Sequence, residues 1–411
     1  MRLSTALIQQ RGVNAILDQQ SKLHKTQLQL ATGKRNLTPA DDPSAAVQSL
    51  DLGEEIRKHT QYQDNIRSAQ NRLSLEEDTL ANATDVLQRI RELAVRANNE
   101  ASLRPEDRSY IAKEVRQGLD QLVGLANTKN ANGEYLFAGT KSHTQPYSAA
   151  TLATDGYYKY QGDANHRLIQ IGPTRRLADG DPGSSVFENV ETARIDASPE
   201  DITEGTPTTA EVQKIPVGAL TPGATFELEV DGVKLSAGPM DKDPTLTELA
   251  TALNAAATAL PAPFTVAEGL GNDAGKLVLT WSSPGNVNSV AQLRRYDNTF
   301  SAIDQFAKAL EGGLDGNSAK RLIGDSLLAL DNALEKINTT RASIGARLNA
   351  IDNQKNVNEA FVVDIKTTLS EVDDLDYAEA IGRFNLQQVA LQAAQQAFAK
   401  VQNLSLFNYI R

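Results

Sequence analysis

Adjacent acidic residues are the groups in this sequence whose types and spacing come nearest to a catalytic pair. Asp41 and Asp42 could act as a proton donor and a proton acceptor. They directly precede Pro43, where the sequence predicts the start of a helix and where an acidic residue caps free N–H groups at the positive helix end. We therefore predict that Asp42 is a helix cap, and we predict no catalytic residue.

Two glycine-rich segments match ligand-binding loops only in part. Asp179 and Asp181 in LADGDPG have the spacing of a calcium loop, but Val190 stands where such a loop needs a bidentate glutamate. The segment GLGNDAG at 269–275 has one residue too many for a dinucleotide-binding GxGxxG turn and opens no predicted helix. Both are predicted to be polar turns, with no metal site and no cofactor.

The composition argues against several further classes of function. The 411 residues include no cysteine, which excludes a disulfide scaffold, thiolate metal sites and thiol catalysis, and the four histidines are scattered without ligand spacing. A net charge of -11 argues against nucleic-acid binding, because neutralising phosphates requires basic patches. The GxSxG, HExxH and P-loop motifs are also missing from the sequence. We predict that the chain is not an enzyme.

The apolar residues that remain to be explained follow a helical period at both ends of the chain. Both terminal segments are rich in glutamine, too polar for membrane insertion, and the first lacks the apolar core of a cleaved signal peptide. Narrow apolar stripes of this kind need a partner helix, so the two ends are predicted to pair as a coiled coil and to form assembly seams. The predicted seam residues are Leu3, Leu7, Val13, Leu17, Leu23 and Leu30 at the start, and Ile381, Phe384, Leu391, Ala394, Phe398, Val401, Leu404, Leu406 and Phe407 at the end.

The middle of the chain changes character twice. Long helical periods cover 43–140 and 299–370, with one helix predicted from Pro43 to about Asn99 and an apolar 3-4 seam from Ile66 to Ala97 on its second half. Twelve of the fifteen prolines lie between residues 144 and 290, among short β-type runs and one predicted helix at 245–260. The runs include YYKYQG (157–162), TFELEVDGVKL (225–235), PFTVAEG (263–269) and KLVLTW (276–281).

We predict a mainly α protein with a β-rich insert and a nested order. Its domains are a terminal coiled coil (1–42 with 371–411), a long-helix bundle (43–140 with 299–370) and an outer β-rich domain (141–298), the last possibly two subdomains (141–195 and 196–298).

Several motifs in this nested order resemble those of one family. They are MRLSTALIQQ at residues 1–10, GKRNLTPADDPSAA at 33–46, ANGEYLFAGTKSHTQPY at 131–147, YQGDANHRLIQIG at 160–172, and the helix that begins at Asp376. Together they resemble the bacterial flagellin superfamily, most closely its branch at the hook–filament junction, over about residues 1–195 and 296–411. The motif at 131–147 and the Tyr-bearing end SLFNYI tell against a filament flagellin.

The resemblance implies a structural axial protein of the flagellum that forms the junction between the hook-associated ring and the filament. Its implied partners are further copies of itself in a ring, the first hook-associated protein on the hook side, flagellin or the filament cap on the distal side, and an export chaperone that binds the C-terminal segment. It also implies an extracellular location, reached through type III export without a cleaved signal. A filament flagellin and a secreted coiled-coil adhesin or effector remain the alternatives.

Three structural predictions follow from the nested order. Lys34 and Arg35 should lie beside the acidic segment 373–376, because the chain crosses between helices at both places. The β-rich region 141–298 should be peripheral to the polymer, so that a variant lacking about residues 196–295 should still support a filament. The segments 1–38 and 377–411 should become ordered only on assembly, since fixing each residue costs on the order of 1–2 kcal/mol that a narrow stripe offsets poorly.

Overall fold

The computed structural model describes residues 5–99, 104–197, 202–206, 209–218, 220–259, 264–284, 290–312 and 316–403. The chain divides into two compact units, residues 1–65 with 353–411 and residues 66–352. We call these the terminal unit and the central unit. The terminal unit takes its residues from both ends of the chain, and the β-rich region lies within the central unit, so the predicted nested, mainly helical fold class is confirmed.

The helices follow the periodic segments of the sequence. The second begins at Pro43 and continues to Asn99, as predicted, a length of about 85 Å at 1.5 Å per residue. The third begins at Pro105, where a missing N–H leaves no helical hydrogen bond unmade. In the described ranges the helices are α1 (Thr5–Thr32), α2 (Pro43–Asn99), α3 (Pro105–Ala126), α4 (Ala149–Asp155), α5 (Gly183–Val186), α6 (Leu246–Ala259), α7 (Thr299–Glu311), α8 (Gly316–Asp373) and α9 (Tyr377–Asn403).

The strands lie between α4 and α7 and pair only in the antiparallel direction in the described residues. They form a two-stranded sheet of order β1-β2 and two four-stranded sheets of orders β3-β10-β6-β7 and β4-β5-β9-β8. Their bounds are β1 (Leu168–Gln170), β2 (Arg176–Ala178), β3 (Val190–Asp196), β4 (Ile202–Thr203), β5 (Ala210–Pro216), β6 (Thr225–Val230), β7 (Val233–Ala237), β8 (Phe264–Glu268), β9 (Lys276–Pro284) and β10 (Gln292–Asp297).

The hairpin between β6 and β7 shows how local sequence sets this topology. Asp231 and Gly232 form its two-residue turn, and both have positive φ, 51° and 78°. An Asp-Gly pair adopts these angles readily, and the resulting turn matches the twist of the flanking strands. The sequence pattern DG between two apolar runs therefore fixes the register Val230 to Val233.

One hydrophobic core of the central unit is built from the long helices. The apolar face predicted on α2 is buried from Ile66 to Ala97. It packs with the inner face of α3 and with α7 and α8, whose Leu330, Ile337 and Ile344 are also buried. This confirms the 3-4 period read from the sequence, because side chains at that spacing share one face of a helix.

Aromatic residues from the segment after α3 join the same core. Tyr147 is fully buried, and its ring centroid lies 4.5 Å from that of Phe300 and 6.1 Å from that of Phe187. Tyr158 and Tyr160 pack against this cluster as well. The prediction of a strand at YYKYQG (157–162) is wrong, because these tyrosines are held by ring packing and by hydrogen bonds to loop carbonyls instead of a sheet ladder.

The sheets that contain β6 and β9 enclose a second core. Leu249 and Leu253 of α6 are buried against it, and α6 lies where the sequence predicted a helix at 245–260. The rings of Phe264 and Trp281 meet across the β8–β9 pair at 5.4 Å. The finer division into 1–42 with 371–411, 43–140 with 299–370, and 141–298 remains a prediction.

Candidate assembly interface

Helices α1 and α9 pair in antiparallel fashion within the terminal unit, as contacts at both ends of the pair indicate. On each helix the less exposed residues alternate at steps of three and four, which is the spacing of a coiled-coil seam. On α1 these are Gly12, Ile16, Gln19, Leu23, Thr26 and Leu30, and on α9 they are Ala380, Phe384, Gln387, Leu391, Ala394 and Phe398. We call this set the paired seam. Gln29 of α1 is also buried, and its side chain donates to the carbonyl of Arg35.

A small residue meets a large one near the chain ends. The ring of Phe398 lies so close to Gly12 that a Cβ atom built on that glycine would meet Phe398 Cδ2 at 2.8 Å. Glycine in the middle of a helix costs about 0.5–1 kcal/mol relative to alanine, so its place in α1 is explained by the space that the ring needs. Sequence reasoning missed Gly12 because it followed only apolar side chains.

A polar layer interrupts the apolar contacts of the paired seam. Gln19 Nε2 donates to the main-chain oxygen of Gln387 at 3.2 Å. The side-chain Oε1 of Gln387 is buried and has no hydrogen-bond partner among the described residues. Gln387 fills the turn at which the apolar period of α9 skips a position, and this skip was the one sequence signal for the layer.

The residues predicted as assembly seams divide between two faces. Leu23, Leu30, Phe384, Leu391, Ala394 and Phe398 belong to the paired seam. In contrast, Leu7, Val13 and Leu17 are 42%, 42% and 56% exposed, and Ile381 is 50% exposed. These four residues lie outside the paired seam, and contact of Leu7, Val13 and Leu17 with α9, of the same chain or of an adjacent copy in the assembly, remains a prediction. Of the remaining predicted residues, Leu3, Leu404, Leu406 and Phe407 lie outside the described residues, as does the side chain of Val401.

The turns before α2 and after α8 meet, as predicted. Lys34 Nζ lies 2.9 Å from Asp373 Oδ2, and the main-chain N–H of Arg35 donates to the carbonyl of Asp373 at 2.8 Å. The N–H of Leu375 donates in return to the carbonyl of Gly33 at 2.9 Å. These bonds form a short antiparallel bridge that fixes α1 and α9 next to each other at one end of the pair.

The adjacent carboxylates at the start of α2 are structural groups. Asp42 Oδ1 accepts from the N–H of Ala45 at 3.0 Å, which confirms the predicted helix cap. Asp41 accepts from the N–H groups of Leu37 and Thr38 and pairs with Lys25. The hydrogen bond from Lys25, followed by that from Thr38, lowers the pKa of Asp41 to about 2.

The acidic turn in LADGDPG is engaged in a network of buried ion pairs in the central unit. Asp179 accepts from Arg167 Nε at 2.9 Å, and Asp181 pairs with Arg347 of α8. The N–H of Asp181 donates to Glu76 Oε1 at 3.0 Å, and burial, followed by the charge of Asp181, raises the pKa of Glu76 well above its usual value. These carboxylates hold the turn against α2 and α8.

The network extends to the motif at 131–147. Arg72 of α2 donates to the carbonyls of Tyr135 and Leu136, each at 3.2 Å, and pairs with Glu134 at 3.3 Å. Asn127 and Tyr147 then close the segment with two amide–main-chain hydrogen bonds of 2.8 and 3.0 Å. The diagnostic motif is therefore a packed structural loop on the helix bundle.

The described ranges contain neither a candidate metal site nor a candidate membrane span. The histidine, aspartate and glutamate side chains there form no group of three or more that could hold a metal ion. No described helix combines the length and the apolar character needed to cross a membrane.

Comparison with known proteins gives the class of this chain. Residues 3–142 match the bacterial flagellin N-terminal helical region, and residues 327–410 match the bacterial flagellin C-terminal helical region. These two matches together span more than half of the chain and include both helices of the paired seam. The chain belongs to the bacterial flagellin family.

Within that family, the full-length similarity is to hook-associated protein 3. The flagellar hook-associated protein 3 of Escherichia coli K12 is 26% identical over 407 residues, which are 99% of both chains. That of Salmonella typhimurium LT2 is 25% identical over 416 residues, with 100% of both chains covered. The crystal structure of FlgL from Xanthomonas campestris in space group C2 superposes with a TM-score of 0.51 at 26% identity, covering 78% of this chain and 99% of that one.

These similarities confirm the predicted function of a structural junction protein of the bacterial flagellum, and they do not favour a filament flagellin. As a flagellar component, the chain is external to the cell and assembles with other flagellar proteins.

Proposed function

We propose that the chain assembles into the junction through the apolar face that α1 and α9 turn away from their paired seam. The observation that carries the proposal is the exposure of Leu17, Leu386 and Val389, at 56%, 74% and 65%. At 100° per residue, these side chains lie largely opposite the paired seam on their own helices. A helix with two apolar faces can pack against two neighbours, one on each face.

The proposed partner of this face is the equivalent region of adjacent copies in a ring. Leu7, Val13 and Leu28 extend the exposed face along α1, each 42% exposed. Full burial of an exposed large apolar side chain contributes about 1.5–3 kcal/mol, and these residues are already partly covered, so several of them per copy are needed for a substantial part of an interface. Narrow contacts repeated around a ring suit a structural protein with no catalytic role.

The individual binding partners are inferred from these exposed surfaces and from the similarity to the family. We infer contacts with the first hook-associated protein on the hook side and with flagellin or the filament cap on the distal side. We also infer that an export chaperone holds the C-terminal segment before assembly and that the chain is exported without a cleaved signal. An apolar helical face that must stay soluble before assembly supports the inferred chaperone.

Charge placed on the exposed face tests the proposal. Leu17→Asp and Leu386→Asp should abolish filament growth in cells that lack the native protein, because each would bury an unpaired charge between copies. Gln20→Asp and Gln388→Asp add the same charge at exposed polar positions of the same helices and should support growth. Normal filaments with both leucine variants, at equal levels of exported protein, would refute the proposal.

A further inference from the structure

The seam of α9 has a symmetry that allows it to pair with a second copy of itself. Its six residues, from Ala380 to Phe398, are spaced 4-3-4-3-4, and this order is the same in either direction. Two copies placed antiparallel therefore bring their seams into register without a break in the period. The spacing of this seam would therefore admit a second α9 helix in place of α1.

Side-chain sizes in that register are complementary at four of six positions. Ala380 of one copy would oppose Phe398 of the other, and Phe384 would oppose Ala394, each small–large pair occurring twice by symmetry. The alternation of large and small residues across facing positions is the pattern that packs a seam well. The central pair is the exception, since Gln387 would oppose Leu391.

We propose that Gln387 is a specificity residue that prevents antiparallel pairing of α9 with α9 of another copy. In a self-paired seam two Gln387 side chains would be buried against leucine, each without an amide partner. A single polar residue at a seam position is a known means of selecting one partner at a cost in stability. The cost is visible in the native pair, where Gln387 Oε1 is buried without a partner among the described residues.

Pairing with α1 has two features that self-pairing lacks. Gln19 of α1 donates to the main-chain oxygen of Gln387 at 3.2 Å, a bond that adds to the native pair but leaves the Gln387 side-chain oxygen unpartnered among the described residues. The bridge between residues 33–35 and 373–375 also holds α1 beside α9, so the native pair forms within one chain. The native pair can therefore tolerate the cost of Gln387, because it forms within one chain, whereas a self-pair would have to offset both this cost and the cost of bringing two chains together.

The test separates the two pairings in the full-length chain. Ile16→Asp places a charge in the α1 half of the paired seam and releases α9 without changing it. With Gln387 intact this variant should stay monomeric in sedimentation and light scattering up to about 100 μM. With Gln387→Leu added, the chain should dimerise, with a dissociation constant lowered at least about 100-fold. Amide exchange should then show protection over 380–398 that rises with protein concentration.

The matched control is Gln388→Leu in the same Ile16→Asp background, since Gln388 neighbours Gln387 in the chain but is exposed. It adds the same apolar side chain and should leave the chain monomeric. Dimerisation of the Ile16→Asp chain alone, equal dimerisation with Gln388→Leu, or no dimerisation with Gln387→Leu would each overturn the proposal. The unfolding of the central unit, followed by circular dichroism, checks that all variants fold.

Gln387 lies on the same helix as the exposed face of the proposed function, and the biological meaning of its role rests on that function. The dimerisation measurements use purified protein without hooks or filaments, whereas the ring contacts are tested by filament growth. If the dimerisation result failed, the proposed ring contacts would be unaffected. If the filament-growth result failed, the role of Gln387 in helix pairing would be unaffected.

Discussion

The ammonium group of Lys34 lies 2.9 Å from a carboxylate oxygen of Asp373, a residue 339 positions later in the chain. The two residues also belong to the main-chain bridge that joins the turn after α1 to the turn before α9. This contact was expected from the nested order alone. It is the point at which the two ends of the chain become one unit.

The ion pair itself should contribute little to stability. The Lys34 side chain is 58% exposed, and solvent screens such pairs to at most about 1 kcal/mol. Lys34→Ala should therefore reduce the protection of α9 amides from exchange less than about fivefold. A loss of amide protection as large as that caused by disrupting the main-chain bridge would contradict the expectation that the ion pair contributes less than the bridge.

Gly33 should matter more than Lys34. Its φ of +69° is unfavourable for any residue with a Cβ, and a Cβ there would meet Tyr377 Oη at 2.9 Å. Gly33→Ala should destabilise the terminal unit by about 1–2 kcal/mol, measured as faster exchange over residues 375–385. Adding Tyr377→Phe, which removes the hydroxyl, should recover part of the loss and leave the backbone strain. No recovery would mean that the clash with Tyr377 is unimportant.

Sequence patterns predicted the helices better than they predicted the seam. The stripe from Ile66 to Ala97 is apolar at nearly every turn, and such a stripe has only one way to be buried. On α1 the apolar residues fall on two faces, and the predicted seam combined Leu7, Val13 and Leu17 of one face with Leu23 and Leu30 of the other. The structure instead pairs the face that includes Gly12, because a glycine admits a large ring and adds no apolar signal of its own.

The short strands were predicted unevenly for a similar reason. The runs that became β6, β8 and β9 alternate apolar and polar residues between clear turn residues, so the local pattern was sufficient. Strands β3 and β10 pair across almost a hundred residues of chain and carry charged residues on one face, with Arg194 opposite Arg294. These two strands pair only when the insert between them folds, and a local sequence pattern does not predict that fold.

Phe398 tests whether the paired seam forms before assembly. Phe398→Asp would bury an unpaired charge over Gly12, so α1 and α9 should separate and hook-dependent assembly should fail. Thermal unfolding of the central unit should barely change, because its cores contain no residue of α9. Gln396→Asp, at an exposed position of the same helix, is the control and should behave as the native chain.

Amide exchange on dilute native protein is the companion measurement. Two expectations compete here: pairing of α1 with α9 within one chain, on which the Lys34 and Gly33 predictions depend, requires protection over 381–402 in the free monomer, whereas ordering of residues 377–411 only on assembly requires rapid exchange there. Strong protection there, lost in Phe398→Asp, would show that the paired seam already holds the helix within one chain. The assembly-coupled interpretation would then have to be abandoned.

Glu188 should make the central unit less stable as pH rises toward neutrality. Its carboxyl Oε1 is shielded from solvent and unpartnered among the described residues, although the residue as a whole is half-buried. Burial raises the pKa of Glu188 from 4.5 to about 7. The folded state therefore holds a proton that the unfolded state has lost between these pH values, so the favourable contribution is complete below pH 4.5 and is lost as pH rises to about 7.

Glu188→Gln keeps the shape of the side chain and removes the titration. The variant should unfold at higher temperature or denaturant concentration than the native chain at pH 8, by about 1–3 kcal/mol, and should differ little at pH 4. Denaturant unfolding across this pH range is the measurement. An unchanged pH slope in the variant would show that Glu188 is not the group responsible.

The insert that contains the second core should be dispensable for assembly. Asp196 and Gln292 are cross-strand partners in the β3–β10 pair, so the chain ends left by removing 197–291 lie side by side and a two-residue Asn-Gly turn can join them. The buried residues of the helical core all lie outside the removed segment. The shortened chain should therefore keep its helical unfolding transition, be exported, and support a filament.

A second version with a five-residue Gly/Ser joint separates the effect of the connection from that of the missing insert. If both versions kept the helical transition and were exported, yet no filament formed, the insert would have to be an axial contact and its peripheral role would be wrong.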